Sequence, residues 1–277
     1  MITSAENKPK ITPVDTIVLA GGRTSPEMQR ISGVSQKAMI PIGGKAMLDF
    51  VVEALEASSR VGRVFVVGDI PKGEQYERVH SHGTILENLL AGIEAADPLE
   101  KASRVLVVTC DIPFLISAAV NDFVRQATQS GADLCYPIIS MESYNEQFAD
   151  IKRTTLKLRE GEYTGGNIML LNPSFIRKNQ ALVMRAYAAR KNVFQIGRML
   201  GPILVGRIIL AQSVNSSFLG IHDLEAGVSR MLGGNCSAKA IITRFPEICT
   251  DVDKPEDVRE AELILGDGGA TRAPLHI

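Results

Sequence analysis

Short β-branched runs alternate along this chain with stretches whose apolar positions recur at helical spacing. That alternation is the mark of βαβ units feeding a mainly parallel sheet. A first strand is expected at Thr16–Ala20, followed by a glycine-rich loop. A helix is expected at Met47–Ser59, where Leu48, Val51, Val52 and Leu55 share one face. Strands at Arg63–Val67, Arg104–Thr109 and Asp133–Ile139, with helices at Thr84–Ala96 and Ile116–Gln129, make the first 140 residues read as a doubly wound α/β unit. Beyond it, Lys152–Arg159 alternates as an exposed strand would, Asn167–Leu171 is an apolar strand, and Pro173–Arg190 is helical with its proline in the first turn. Gln195–Gly233 reads as two or three helices, an insertion over about 190–235, before a strand at Lys239–Thr243 and a closing helix at Pro255–Leu265. The expected organisation is one domain over 14–266, a flexible lead-in at 1–13 and a tail at 267–277 that is disordered by composition.

Charge narrows the partners. With 30 Lys+Arg against 31 Asp+Glu, the 277-residue chain has no broad basic footprint for a nucleic-acid backbone or an anionic membrane. Any anionic ligand must be held by a few local groups. Cys110, Cys135, Cys236 and Cys249 form no CxxC pair, which argues against zinc and against a disulfide framework. The opening MITSAENKPKITP is polar with no apolar run, and Phe194–Gln212 is broken by Arg198, Pro202 and Arg207, so neither a signal segment nor a spanning helix is expected. A cytoplasmic location follows as the expectation.

The chemistry-bearing residues gather where strands end. The first strand runs into Leu19-Ala20-Gly21-Gly22-Arg23, and fourteen residues after Arg23 comes Lys37, opening Lys37-Ala-Met-Ile-Pro-Ile-Gly-Gly-Lys45. Glycines at the carboxyl end of a first strand let the backbone approach a ligand and aim N–H groups at phosphate oxygens, although a Gly-Gly turn is as often structural. Neither GxGxxG nor GxxxxGK[ST] is present, so a dinucleotide fold and a P-loop find no support. Arg23 and Lys37 are cations in a polar loop and together fit a triphosphate clamp. The third strand ends in Cys110-Asp111-Ile-Pro-Phe, where Asp111 is the first group past an apolar run that can reach a ligand crevice; otherwise it is an ordinary turn residue. Far along the chain, Asp251-Val-Asp253-Lys-Pro-Glu-Asp257 puts Asp251 and Asp253 on one face of an extended segment, with Asp253 either a metal ligand or the cap of the helix that follows. Asp111 with Asp253 would suit Mg²⁺ or Mn²⁺, which take one or two carboxylates beside phosphate oxygens and water.

In order and spacing, Leu19-Ala-Gly-Gly-Arg, Lys37-Ala-Met-Ile-Pro-Ile-Gly-Gly-Lys-Ala-Met-Leu, Cys110-Asp-Ile-Pro-Phe-Leu and Asp251-Val-Asp-Lys-Pro-Glu-Asp resemble the molybdenum-cofactor guanylyltransferase-like (MobA-like) NTP transferases. The likeness spans roughly 14–180 and 237–265. It implies the nucleotide-diphospho-sugar transferase fold, a Rossmann-like mixed sheet, mostly parallel, flanked by helices. It also implies that Leu19 to Arg23 and Lys37 hold the triphosphate, that Asp111 and Asp253 coordinate the metal, and that His82-Gly83-Thr84-Ile-Leu-Glu87-Asn88 meets the base. There Gly83, Thr84 and Asn88 are the candidates, while Thr84-x-x-Glu87 equally spells a helix capping box. Tyr163-Thr164-Gly165-Gly166-Asn167 resembles the loop facing the acceptor, or else is a hairpin turn. Two departures stand out: Thr-Ser-Pro-Glu-Met-Gln-Arg-Ile-Ser between the glycines and Lys37 leaves the choice between Arg23 and Arg30 open, and Ala46 replaces a proline after Gly-Gly-Lys.

The activity implied is Mg²⁺-dependent transfer of a nucleoside monophosphate from an NTP to a small phosphorylated acceptor, a sugar phosphate or a cofactor precursor, with release of pyrophosphate. Two other classes compete with it: a glycosyltransferase of related fold, which has no use for a lysine in a triphosphate loop, and a non-catalytic nucleotide-binding module. The 190–235 helices would serve as a lid over the acceptor, a partner surface or a homodimer interface.

Overall fold

The computed structural model describes residues 12–149, 151–189 and 199–266. Its first half follows the expected alternation: β1 (Val14–Leu19), α1 (Pro26–Ser32), a small hairpin of β2 (Pro41–Ile42) and β3 (Lys45–Ala46), α2 (Met47–Glu56), β4 (Val61–Val67), β5 (Glu77–Val79), α3 (Ile85–Ala96), β6 (Val105–Thr109), α4 (Ser117–Ser130) and β7 (Leu134–Ser140). Then come α5 (Met141–Phe148), the hairpin of β8 (Leu156–Leu158) and β9 (Gly161–Gly165), and β10 (Ile168–Leu171). The chain closes with α6 (Pro173–Lys178), α7 (Gln180–Ala189), α8 (Pro202–Ser213), α9 (Ile221–Met231), β11 (Ala238–Ile242) and α10 (Pro255–Gly266).

Nine strands form one mixed sheet in the order β5-β4-β1-β6-β10-β7-β9-β8, with β11 on the other edge of β7. The ladders joining β5, β4, β1 and β6 are parallel, whereas β10 enters antiparallel between β6 and β7. The inner parallel strands β1, β4 and β6 are apolar without alternation over Ile17–Leu19, Val64–Val67 and Val105–Val108 because both faces are covered there. Val18, Val66, Leu106 and Val108 join the core under α2 and α4, while Ile17, Phe65, Val67 and Val107 join the core under α3. Helix α3 lies so close to the sheet that a Cβ at Gly92 would stand 2.4 Å from Ile17 Cγ2.

Several expectations are refined. The segment expected as a strand at 152–159 is a strand only over Leu156–Leu158, because Arg153 turns inward to donate to the carbonyl of Gly165 and Thr164 Oγ1 takes up the Thr154 carbonyl at 3.0 Å in place of a ladder bond. The expected helix 173–190 breaks at Asn179, whose side chain donates to the Phe175 carbonyl. Helix α1 lies in a stretch whose polar composition reads as loop, although Ser25 caps it, Pro26 opens it and Gly33, at φ 73°, closes it. Within the expected 190–235 insertion, α8 and α9 are formed, and Gln212 on α8 exchanges two hydrogen bonds with the backbone of Lys157, covering the sheet's β8 edge. Residues 190–198, and with them Arg198 and the start of the apolar stretch Phe194–Gln212, lie outside the described residues, as do the lead-in 1–11 and the tail 267–277.

Candidate active site

The glycine turn leaves β1 at the carboxyl edge of the parallel strands. Leu19 and Ala20 are buried; the Ala20 N–H donates to Val67 at 2.9 Å and the Leu19 carbonyl accepts from Cys110 at 3.3 Å, so the turn is anchored to both neighbouring strands. The Gly22 carbonyl accepts from the Lys37 N–H at 3.0 Å, and Arg23 bridges Gln36, which folds the α1 segment back onto the turn. Arg23 is exposed and has no side-chain partner among the described residues. Arg30 lies in the last turn of α1, where its Nε contacts the Pro26 carbonyl. Of the two arginines, Arg23 is the one on the glycine turn.

A Cβ on Gly21 would stand 2.4 Å from Asn88 Nδ2 and 2.8 Å from Ser81 Oγ, so the turn packs directly against the loop before α3. Asn88 is buried and its Oδ1 accepts from the His82 N–H at 2.6 Å and from Ser81 Oγ at 3.3 Å. It shapes that loop from behind. Thr84 caps α3 in a full capping box: its Oγ1 accepts from the Glu87 N–H, and its own N–H donates to Glu87 Oε2 at 2.8 Å. Hydrogen bonding to Thr84 holds the Glu87 carboxyl below its usual range. The Thr84 N–H is therefore occupied, and Gly83, at φ 93°, carries the backbone that remains on that side.

The acidic centre forms where β6 ends. The Val252 N–H donates to the Asp111 carbonyl at 2.8 Å, which lays the 251–253 segment against the turn carrying Asp111. Carboxylate oxygens of Asp111, Asp251 and Asp253 then lie within 4.8 Å of one another. Lys37 Nζ reaches into the group, 2.5 Å from Asp111 Oδ2 and in contact with Asp253 Oδ1. Burial pulls the Lys37 ammonium down, but the two carboxylates outweigh it and hold the pKa above its ordinary value. Asp251 pairs with Arg153. Asp253 does not cap α10. That task falls to Asp257, whose Oδ2 accepts from the N–H groups of Asp253 and Lys254 at 2.9 and 2.8 Å and so leaves the Asp253 carboxylate free to face Asp111. The neighbouring Cys110 thiol is pushed by burial up to about 12 and is inert.

The donor set suits a hard divalent cation. Asp111 Oδ1 is buried with no hydrogen-bond partner among the described residues, and it stands in a cluster of three carboxylates within 4.8 Å of one another, the oxygen-donor chemistry that Mg²⁺ or Mn²⁺ prefers.

On the far side of this centre, Thr164 and Gly165 are part of β9, paired with Ile139 and Ile138. They line a polar cleft of about 430 Å³ together with Lys152, Arg153, Asp251, Asp253 and Lys254. The Gly165-Gly166 pair is not a hairpin turn, which falls instead at Arg159-Glu160 between β8 and β9. Gly166 and Asn167 run behind the cleft, donating to the carbonyls of Pro137 and Ile248 at 3.0 Å each. Gly166 is required there by space: a Cβ would meet Pro137 Cγ at 2.7 Å and Ile248 Cγ2 at 2.8 Å. Arg153, Lys152 and Tyr136 enter the site unforeseen, the first two because alternation over 152–159 reads as a solvent-facing strand.

A parallel sheet edge that presents a glycine turn, a lysine and converging carboxylates beside a polar cleft belongs to enzymes that handle nucleoside triphosphates. Comparison with known proteins gives the same class. The model of the MobA-like NTP transferase domain matches residues 16–195. The chain is 35% identical to a hypothetical transferase from Thermus thermophilus, with a TM-score of 0.78 over 89% of this chain and 100% of that one. It is 26% identical over 169 residues to a probable molybdenum cofactor guanylyltransferase from Thermococcus gammatolerans, covering 57% of this chain and 83% of the relative. At the level of fold it also resembles a 2-C-methyl-D-erythritol 4-phosphate cytidylyltransferase, likewise from Thermus thermophilus, with a TM-score of 0.54, 15% identity, and 91% and 98% of the two chains covered. The chain belongs to the MobA-like NTP transferase domain family and is a nucleotidyltransferase. No helix among the described residues is long and apolar enough to cross a membrane.

Proposed function

We propose that the protein transfers a nucleoside monophosphate from an NTP to a small phosphorylated acceptor and releases pyrophosphate, with Mg²⁺ or Mn²⁺ as its cofactor. The observation that carries this reading is the convergence of Asp111, Asp251 and Asp253 within 4.8 Å beside Lys37 and the glycine turn. Asp111 and Asp253 would hold the metal, with Asp251 positioned by Arg153 as a third carboxylate. Bound there, the ion would neutralise charge on the α-phosphate and the incoming acceptor phosphate.

The chain's own groups do the rest. The backbone of Gly21 and Gly22, with Arg23 and Lys37, cradles the triphosphate, and the Gly83 loop, braced by Asn88, faces the base. Lys152, Arg153 and Lys254 give the polar cleft the cations an acceptor phosphate needs. An acceptor oxygen attacks the α-phosphorus in line; the new oxygen–phosphorus bond forms as the bond to the β-phosphate breaks, and the charge gathering on pyrophosphate is met by Lys37 and Arg23. Catalysis of this kind rests on positioning and charge neutralisation and calls for no covalent nucleophile. The base and the acceptor are not fixed by likeness, since one scaffold serves many substrates.

The test is a thermal-shift screen of the four NTPs with and without Mg²⁺, followed by pyrophosphate release against a panel of phosphorylated acceptors. Metal-dependent stabilisation by one base, and pyrophosphate release that requires an acceptor, are expected. Absence of metal-dependent binding by every NTP defeats the reading.

A further inference from the structure

The sheet face opposite α4 is unusual at β7. Cys135 and Ile139 are fully buried toward α4, but Leu134, Tyr136 and Ile138, which alternate with them, are only partly covered, and Tyr136 is 39% exposed. Helix α9 crosses over these residues without closing on them. The space between is a cavity of about 450 Å³, lined chiefly by Leu134, Tyr136, Ile138, Met169, Leu224 and Val228. It is open to solvent on one side, so its apolar lining is presented as a groove. Its volume lies within the range of small-molecule sites, and is about three times the roughly 150 Å³ of an apolar cavity that admits benzene.

The cavity adjoins the candidate active site. Tyr136, Thr164 and Gly165 line both it and the polar cleft that holds Asp251 and Asp253. The partition is the Tyr136 ring, laid against Gly165 so closely that a Cβ there would stand 2.5 Å from the tyrosine hydroxyl. Apart from the Tyr136 hydroxyl at the partition, the polar side chains of the cavity are already engaged: Glu225 pairs with Lys239 at 3.1 Å and accepts from the Ala240 N–H, Thr164 Oγ1 donates to the Thr154 carbonyl, and the Tyr163 hydroxyl donates to the Glu160 carbonyl. A polar ring such as a sugar placed there would bury several donors and acceptors with only that one hydroxyl to meet them, which is unfavourable for each group left unpaired. A hydrocarbon has no such cost.

We infer that the acceptor is amphiphilic: its phosphate lies in the polar cleft among Lys152, Arg153 and Lys254, and a hydrocarbon chain passes Tyr136 into the cavity beneath α9. This rests on the nucleotidyl-transfer reading above and narrows its acceptor to a phosphate monoester of an alkyl or prenyl chain.

The experiment compares methyl, octyl and geranyl phosphate, all below their micellar concentrations, by calorimetry on the full chain with Mg²⁺. Octyl or geranyl phosphate is expected to bind at least about tenfold more tightly than methyl phosphate, as burial of a chain predicts, and the stronger of the two tells a saturated chain from a prenyl one. In Val228→Trp, which fills the cavity, the advantage should vanish while methyl phosphate binds as before. Methyl-group NMR on the unaltered protein provides the same answer without a variant: the long chain, and not methyl phosphate, should move the Leu224 and Val228 signals. Equal affinities, or a preference that survives Val228→Trp, overturn the inference and leave nucleotidyl transfer standing if pyrophosphate is still released with a short acceptor. Chain-dependent binding with no pyrophosphate released from any NTP defeats the transferase reading and, with it, the assignment of the chain to an acceptor.

Discussion

Val252 donates its N–H to the carbonyl of Asp111 at 2.8 Å, and that single backbone bond joins the turn after β6 to a segment near the end of the chain. Its effect is chemical. With Val252 fixed and buried, Asp251 and Asp253 on either side of it are presented together toward Asp111. Lys37 completes the group from the opposite direction, so three distant stretches of sequence share one charge cluster.

Asp111→Asn and Asp253→Asn should each lower turnover by about 10²–10³-fold, the scale of losing one electrostatic contributor. The double variant should fall little further than the worse single, since both act through one metal. Circular dichroism should be unchanged, because the Asp111 carboxylate has Lys37 as its one hydrogen-bond partner among the described residues. Pyrophosphate release near the unaltered rate in either single variant would remove that residue from the metal site.

Lys37→Met removes the cation that now satisfies Asp111 and Asp253. The two carboxylates then lack a partner, so Mg²⁺ should bind this variant more tightly than the unaltered protein when no nucleotide is present, and should raise its melting temperature by more. Turnover should nevertheless drop by about 10²-fold, since the departing pyrophosphate loses its ammonium. Calorimetry with Mg²⁺ alone decides it; weaker metal binding contradicts the expected competition.

Asn88→Leu keeps side-chain volume but withdraws the acceptor of the His82 N–H. Loss of that hydrogen bond costs about 0.5–1.5 kcal/mol, to be seen in urea denaturation. Because the same loop faces Gly21, KM for the NTP should rise more than kcat falls. A pure loss of kcat would place this loop away from the nucleotide.

The Arg177–Asp97 pair ties α6 to the end of α3, with Asp97 only 5% exposed. Burial alone would raise the Asp97 carboxyl, but Arg177 and the N–H groups of Ala102 and Lys101 more than offset it and hold the pKa below its ordinary value. The stability this provides is complete above the ordinary carboxyl range and is lost as pH falls through the lowered folded-state value. Arg177→Met should cost about 3 kcal/mol at neutral pH and move the acid-unfolding midpoint to higher pH. A midpoint that stays put would mean that the backbone donors alone hold Asp97.

The parallel half of the fold is legible where its inner strands β1, β4 and β6 are buried on both faces and apolar, and where α2, α3 and α4 carry one-sided apolar patterns; the exposed edge strand β5, Glu77-Arg78-Val79, has no such signal. The sequence by itself also determined the chemistry on offer: carboxylates and cations at strand ends, in an order shared with a known family. It did not determine their roles. In sequence Asp253 reads equally as a metal ligand and as the cap of α10, and only the folded backbone gives Asp257 the N–H groups of Asp253 and Lys254 and turns Asp253 toward Asp111. Arg153 looked like a residue on an exposed strand until Asp251 and the Gly165 carbonyl drew it inward. The Gly165-Gly166 pair looked like a turn until the packing of Pro137 and Ile248 required a residue without a side chain. Local pattern encodes which face of an element is apolar. Which polar group meets which other is decided by contacts between distant segments, and those exist only once the sheet has set its order.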